Sequence, residues 1–231
     1  MLERYPGYAC VVTYIQGIQN DKVSSDSVEI LRSAERNAVA RFDRATLSDH
    51  PHIAAWRAAY AAFGAKPKKH LCSVEALVVR VLKDEVLPSI NTVVNLYNAI
   101  SLEHVIPVGG EDWDKLDGNL ELTFASGKEP FATRRSGESI VEHPDAGEVV
   151  WRDPTGVTCR RWNWRQCERT AVAPGTTRAY FVFDCLPPFG VDHALAASRQ
   201  FITLVEACSK DAIAETEILH SPPRPQLATN R

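Results

Sequence analysis

Residues 91–124 read NTVVNLYNAISLEHVIPVGGEDWDKLDGNLELTF. The first part of this stretch contains neither glycine nor proline and predicts a helix over roughly Asn91 to Glu103. Pro107 and the Gly109-Gly110 pair end the helical pattern and predict an irregular acidic loop, and a short strand is expected over Leu120–Phe124. The predicted secondary structure therefore changes at Pro107, from mainly helices before it to mainly strands after it.

The residues upstream of this stretch contain one predicted strand and three predicted helices. The apolar run YACVVTYI at residues 8–15 predicts a buried strand. Apolar residues then recur at helical spacing in three windows, at about 26–42, 49–63 and 73–83.

The residues downstream are mostly strand-like. Strands are expected at 148–151, 157–161 and 178–183, and Asp153-Pro154-Thr155-Gly156 is a strong turn signal. We therefore predict an α+β fold, in which helices pack around a largely antiparallel or mixed sheet. The predicted domain covers residues 1–220, and residues 221–231, which lack periodicity, are expected to form a flexible tail.

The overall charge argues against a strongly basic nucleic-acid coat protein. The 231 residues carry a net charge of −3, so RNA would have to bind at local basic patches. Two such patches occur, at residues 56–70 and 159–169. In contrast, residues 101–121 hold six acids and a single lysine.

Several classes of protein are disfavoured by missing motifs. The six cysteines form no CxxC pair and no Cys/His set with zinc spacing, which predicts free thiols and no metal or other cofactor. No GxSxG, P-loop, HExxH or GxGxxG motif occurs. The N-terminus lacks a secretory apolar core and no run of 18 apolar residues is present, so we expect a cytoplasmic protein that does not enter a membrane.

Two features of residues 91–110 suggest a polar site. Asn91, Asn95 and Asn98 share one helical face, where they line a polar pocket or, equally well, serve as a cap and a solvated face. The backbone amides of Gly109 and Gly110 are suited to an oxyanion-type nest, although a plain turn is the favoured interpretation.

The segment RRWNWR at residues 160–165 places arginine beside tryptophan. In a strand, Trp162 and Trp164 share one face and are favoured as core residues. Arg161, Asn163 and Arg165 then share the other face and are the better ligand candidates, since arginine pairs with phosphate.

These motifs together resemble the B3/4 domain, the editing module of the phenylalanyl-tRNA synthetase beta subunit, which also occurs as free-standing proteins. The likeness spans roughly residues 5–210, and its clearest motifs are WRAAYAAFG, SVEALVVR, PSIN, YNAISL, PVGG and RRWNWR. The resemblance implies an α+β fold and hydrolysis of misacylated tRNA.

The resemblance also implies roles for particular residues. Asn98 matches an asparagine of the editing helix, whereas Gly109 replaces a histidine of the synthetase. Glu168 falls near a glutamate that selects a polar side chain, but Gln166 and Cys167 replace the paired glycines before it. We therefore do not expect this chain to clear tyrosine from phenylalanine tRNA.

One free-standing branch of the family deacylates canavanyl-tRNA for arginine. An arginyl synthetase cannot strongly reject such a close isostere by binding alone, so a second hydrolytic sieve is useful. A cationic side chain would suit the acids Glu111, Asp112 and Asp114, although a solvated acidic surface is the simpler interpretation.

The sequence-based hypothesis is thus a trans-editing hydrolase of mischarged tRNA, with no DNA partner and a possible transient contact with a synthetase or the ribosome. The alternative is a non-catalytic module that binds tRNA or an amino acid, and no oligomeric state is predicted. The candidate residues are, for catalysis, Asn98, Ser101, Gly109 and Gly110; for the substrate, Asn91, Asn95, Asp112, Asn163 and Glu168; and for tRNA, Arg57, Lys66, Lys68, Lys69, Arg161 and Arg165.

Overall fold

A computed structural model describes residues 3–83 and 85–220 and confirms the α+β prediction. The helices in this part of the chain are α1 (Ser25–Arg41), α2 (Pro51–Ala62), α3 (Ser73–Val81), α4 (Thr92–His104) and α5 (Val191–Cys208). The strands are β1 (Ala9–Gln16), β2 (Val108–Asp112), β3 (Glu121–Phe124), β4 (Phe131–Arg135), β5 (Glu138–Glu142), β6 (Val149–Asp153), β7 (Gly156–Arg160), β8 (Arg165–Gln166), β9 (Arg178–Cys185) and β10 (Ile213–His220).

The central sheet has the strand order β10-β1-β9-β2, and every pair in it is antiparallel. Successive side chains of a strand point to opposite faces. On β9, Phe181 and Phe183 therefore pack into a core with α4 and α5, where both are fully buried. Tyr180, Val182 and Asp184 point to the opposite face, and that face positions the candidate site.

A second sheet, with the order β3-β6-β7-β8, lies over that opposite face. The core here also includes residues of α2 and α3 and is rich in aromatic rings. Trp162 is fully buried and meets Trp56 edge-on, with ring centroids 5.1 Å apart. A separate hairpin of β4 and β5 turns at Ser136 and Gly137, both with positive φ.

The first four helices and five of the strands lie close to their predicted positions, but three predictions need correction. The predicted loop at Gly109-Gly110 is the edge strand β2, which pairs with β9. Helix α5 was not predicted, although its buried residues Ala194, Ala197, Phe201 and Val205 follow helical spacing. The strands β4, β5, β8 and β10 were also missed, and the predicted tail at 221–231 lies outside the described residues.

Each of the six cysteines is a free thiol. None of the helices in the described ranges has the length and apolar character that crossing a bilayer would require.

Candidate functional site

A cavity of about 270 Å³ opens between the two sheets. Its floor is the face of the central sheet that carries Glu111, Tyr180 and Asp184, all at most 3% exposed. Side chains of α3 and α4 form the walls, and the segment from Trp162 to Gln166 covers one side. This volume lies just below the usual range for small-molecule pockets and suits a small ligand or the end of a larger one.

The turn between β7 and β8 shapes one side of this cavity. Arg161 and Trp162 have φ values of 46° and 68°, a left-handed conformation that is costly for residues other than glycine and often occurs at functional sites. The turn breaks the strict alternation expected of a strand. As predicted, Trp162 is a core residue, but Trp164 is only partly buried and lines the cavity together with Asn163.

Asn163 is held in place by two buried partners. Its amide nitrogen donates to Asp184 Oδ2 at 3.3 Å, and its amide oxygen accepts from the Tyr60 hydroxyl at 2.9 Å. Asp184 Oδ1 accepts a further bond from the Tyr8 hydroxyl at 2.6 Å. Burial raises the pKa of Asp184 to about 7, because a charged carboxylate is poorly solvated there.

Glu111 is the second buried carboxyl of the cavity. Its Oε2 accepts from the Thr170 hydroxyl at 2.6 Å, and burial raises the pKa of the side chain to about 7. The hydroxyls of Tyr180 and Thr158 lie near enough to lower that pKa somewhat. Neither hydroxyl forms a well-aligned hydrogen bond among the described residues, and both oxygens are buried beside the Glu111 carboxyl.

The three asparagines on one helical face have different environments. Asn91 caps α4, accepting a bond from Val94 N at 2.9 Å. Asn95 is fully buried, and its amide nitrogen donates to the hydroxyls of Ser27 and Ser89. Asn98 is partly buried and lines the cavity. The structure therefore brings one of the three to the cavity and gives the other two structural partners.

Gly109 lines the cavity as part of strand β2, and Gly110 follows it on the same strand. Gly109 pairs with Val182 on β9. Two residues earlier on the same strand, Pro107 O accepts a hydrogen bond from Asp184 N. Hydrogen-bonded pairs alternate along an antiparallel ladder, so the Gly109 amide points toward β9 and the Gly110 amide faces the open edge. At that edge, the Gly110 carbonyl accepts from Gln166 Nε2 at 2.8 Å.

Ser101, a predicted catalytic residue, lies away from the cavity lining. Its side chain is fully buried and donates to Ile106 O at 2.6 Å, which closes the turn after α4. The hydroxyl is thus occupied by the local fold.

Two predicted substrate-binding acids also lie away from the cavity lining. Asp112 accepts from Asp114 N and from the Thr176 hydroxyl and pairs with Lys115. Glu168 is exposed and pairs with Arg134 at 2.6 Å. Neither lines the cavity, and both are engaged by neighbouring residues.

Two of the predicted phosphate-binding arginines are engaged in ion pairs. Arg57 pairs with Glu75, which is 1% exposed, at 2.5 Å. Arg161 is buried and pairs with Asp145 and Glu148, because the left-handed turn directs it back toward these acids. Both arginines therefore stabilise the fold and present little charge to a nucleic acid.

The other predicted cations remain accessible near the cavity. Lys66, Lys68 and Lys69 are exposed, and none makes an ion pair with a residue that the structure describes. They precede His70, whose ring meets that of Trp164 at 4.8 Å. Arg165 lines the cavity itself and is 4.0 Å from Glu142.

Sequence reasoning missed two main residues of the site, Tyr180 and Asp184, and grouped Glu111 with its acidic neighbours. A usable signal was present in RAYFVFDC, residues 178–185, where a lone acid ends an apolar strand. A buried carboxyl in such a strand is costly without a partner and is often functional.

Comparisons with known proteins identify the family of this chain. The B3/4 domain family model matches residues 55–200. Among solved structures, an N-terminal fragment of the phenylalanyl-tRNA synthetase beta subunit from Pyrococcus horikoshii is similar, with a TM-score of 0.42 and 10% identity. That match covers 89% of this chain and 46% of the fragment, and a search among curated proteins found no match. The chain belongs to the B3/4 domain family.

Proposed function

We propose that this chain is a trans-editing deacylase, which hydrolyses the ester bond of mischarged aminoacyl-tRNA. The observation that carries the proposal is the cavity itself, where Asn98, Asn163 and the buried carboxyl of Glu111 meet beside exposed lysines. An aminoacyl ester on the end of an RNA needs both features, a small polar pocket and nearby cations. Membership of the B3/4 family supports the same assignment.

The proposed chemistry requires no strong nucleophile, because the substrate is already an activated ester. A water oxygen attacks the ester carbonyl carbon, and the bond from that carbon to the ribose oxygen breaks. The terminal adenosine leaves with a restored hydroxyl, and a neighbouring ribose hydroxyl assists the proton transfer. The protein supplies position and charge stabilisation, which are large contributions in such reactions.

Three groups are suited to these tasks. The Asn98 amide, at the cavity wall, is the candidate that orients water or the developing oxyanion. The Asn163 amide is fixed by Asp184 and Tyr60 and so presents a defined polar edge. The Gly110 amide, on the open edge of β2, is the remaining backbone donor near Gln166.

Phosphates of the acceptor end would be held outside the cavity. Lys66, Lys68 and Lys69 are exposed on the segment that leads to His70 and Trp164. Arg165 lies at the cavity itself. A few such contacts give affinity that depends strongly on salt and little on sequence.

The substrate that we propose to test first is canavanyl-tRNA for arginine. Two kinds of support exist, the likeness of the sequence to that branch and the two buried carboxyls of the cavity. A cytoplasmic location and a transient contact with a synthetase belong to the same proposal.

Deacylation of a panel of tRNAs tests the proposal. The purified full chain is mixed in excess with canavanyl-, arginyl- and other aminoacyl-tRNAs, and loss of the ester is followed over time. We expect rapid and selective loss of one mischarged species. A chain that binds these tRNAs but accelerates no hydrolysis would be a binding module, which would contradict the proposal.

A further inference from the structure

We propose that Glu111 selects the substrate, by receiving a protonatable nitrogen group at the end of the amino-acid side chain. Tyr180 and Thr170 complete this receptor at the cavity floor. The inference rests on the proposed function, because it assigns one end of the cavity to the side chain of the ester.

The position of Glu111 fits a receptor. Its side chain is 3% exposed and lies on the cavity floor, on the strand next to Tyr180. Thr170 Oγ1 donates to Oε2 at 2.6 Å and fixes the orientation of the carboxyl. A ligand that reaches the floor of the cavity therefore meets an oriented acceptor.

The polar groups around Glu111 are incompletely satisfied. No lysine or arginine in the described part of the chain forms an ion pair with it. The Tyr180 hydroxyl, on a side chain 3% exposed, lies beside this carboxyl but forms no well-aligned hydrogen bond within the described residues. A buried carboxyl without an ion-pair partner is costly, and a ligand cation that donates hydrogen bonds would supply that partner.

The walls of the cavity suit a cation as well. Trp164 already has the guanidinium of Arg161 over its ring, 4.5 Å from the centroid, and both Trp164 and Tyr97 line the cavity. Aromatic faces attract cations, and planar guanidino groups stack on them. An apolar side chain of the same length would leave the carboxyl without an ion-pair partner, and sites with such buried polar groups discriminate strongly.

Burial raises the pKa of Glu111 to about 7 in the empty cavity. A cation beside the carboxyl favours its charged form, so binding of a cationic side chain at pH 6 releases a proton from Glu111. The binding free energy of a cationic side chain therefore depends on pH through the protonation of Glu111.

Calorimetric binding tests the inference with amide-linked aminoacyl analogues of 3′-amino-3′-deoxyadenosine, which cannot be hydrolysed. The probes carry canavanine, lysine or the apolar norleucine. We expect the full chain to bind the two basic analogues at least about tenfold more tightly than norleucine, as for a charge-assisted pair. Glu111→Gln should reduce that preference to about twofold, and Tyr180→Phe should reduce it partly. Glu215→Gln, on the exposed edge strand, is the matched control and should keep it.

Hydrolysis separates this inference from the proposed function. If wild type deacylates mischarged tRNA and Glu111→Gln slows every ester equally, Glu111 acts at the reacting centre and the selector role is wrong. The same conclusion follows if wild type binds all three analogues with equal affinity, or none of them. If no ester is hydrolysed while the basic analogues bind through Glu111, the deacylase proposal fails and the receptor stands.

Discussion

The two faces of β9 differ in how their side chains are packed. On one face, Phe181 and Phe183 are fully buried against Phe201 of α5, with ring centroids 4.6 and 5.7 Å from it. On the other face, Tyr180 and Asp184 border a cavity, and Asp184 is as deeply buried as a core residue. The same strand therefore has one face that is closed by apolar packing and one that carries buried polar groups at a cavity.

Under the proposed function, one face of this eight-residue strand contributes mainly to stability and the other face contributes to the site. A dense apolar core stabilises by burial and tolerates little loss of volume. A cavity lined by buried carboxyls is an energetic liability, which is typical of sites arranged for binding or catalysis. The apolar face fixes the strand, and the polar face uses that rigidity to hold Tyr180 and Asp184 in place beside Glu111 of the neighbouring strand β2.

The largest effect on stability is expected from the apolar face. Phe181→Ala should lower the free energy of unfolding by about 3–5 kcal/mol, because it opens a void against Phe201. Tyr180→Phe, its neighbour on the cavity face, should change stability by less than about 1 kcal/mol, because the lost hydroxyl has no well-formed bond within the described residues. Urea unfolding measures both, and equal losses would contradict the comparison.

The pH dependence of the free energy of unfolding should reflect the buried carboxyl of Glu111 on the cavity face. A carboxyl with a raised folded pKa binds its proton more tightly in the folded state, so its contribution is full below pH 4.5 and is lost as the pH rises to about 7. Relative to wild type, Glu111→Gln should therefore gain stability over this window, by up to about 3 kcal/mol, with no further change above it.

The control for this pH experiment is Glu215→Gln on the exposed edge strand. Its stability relative to wild type should change little between pH 4.5 and 7. A Glu111→Gln variant whose relative stability is flat across the same window would contradict the account of a strained buried carboxyl.

Alanine substitutions at two asparagines of one helical face should have different effects on catalysis and on folding. Asn98→Ala should slow deacylation about a hundredfold, the loss typical of one oxyanion donor, with little change in unfolding. Asn91→Ala should keep the rate but lose about 1 kcal/mol of stability, since it removes the cap of α4. Single-turnover assays and thermal unfolding distinguish them, and an Asn98→Ala enzyme with full activity would remove this residue from the site.

The smallest effect is expected at the exposed lysines. Replacing Lys66, Lys68 and Lys69 together by alanine should weaken tRNA binding roughly tenfold and reduce its salt dependence, because fewer counterions are released. A matched triple of exposed lysines elsewhere, Lys22, Lys128 and Lys210, is the control. Filter-binding at several salt concentrations measures both, and equal losses would show that the cations near the cavity have no special role.

Local patterns predicted much of the fold. Helices α1 to α4 carry apolar stripes at helical spacing, and β1 is a continuous apolar run, so their positions followed from short-range sequence. Strand β2 did not, because VGGED resembles a loop and becomes a strand only through its pairing with β9. Local propensity carries no information about such a distant partner.

The candidate site was predicted less well, for related reasons. Asn98 was found because it repeats with Asn91 and Asn95, but the repeat cannot show that Ser27 and Ser89 engage Asn95. Strand alternation places Trp162 and Trp164 on the same face. The left-handed turn at Arg161 and Trp162 instead sends them to different environments. Asp184 acquires its partners from Tyr8 and Asn163, which are distant in sequence.

The most direct test of the account is a crystal structure of the chain with the canavanyl amide analogue of 3′-amino-3′-deoxyadenosine. We predict that the analogue occupies the cavity, with its amide carbonyl beside Asn98 and its side chain against Glu111 and Tyr180. A ligand seated elsewhere, such as the surface cavity formed by Tyr14, Trp113 and Arg178, would contradict the claim that the polar face of β9 holds the substrate.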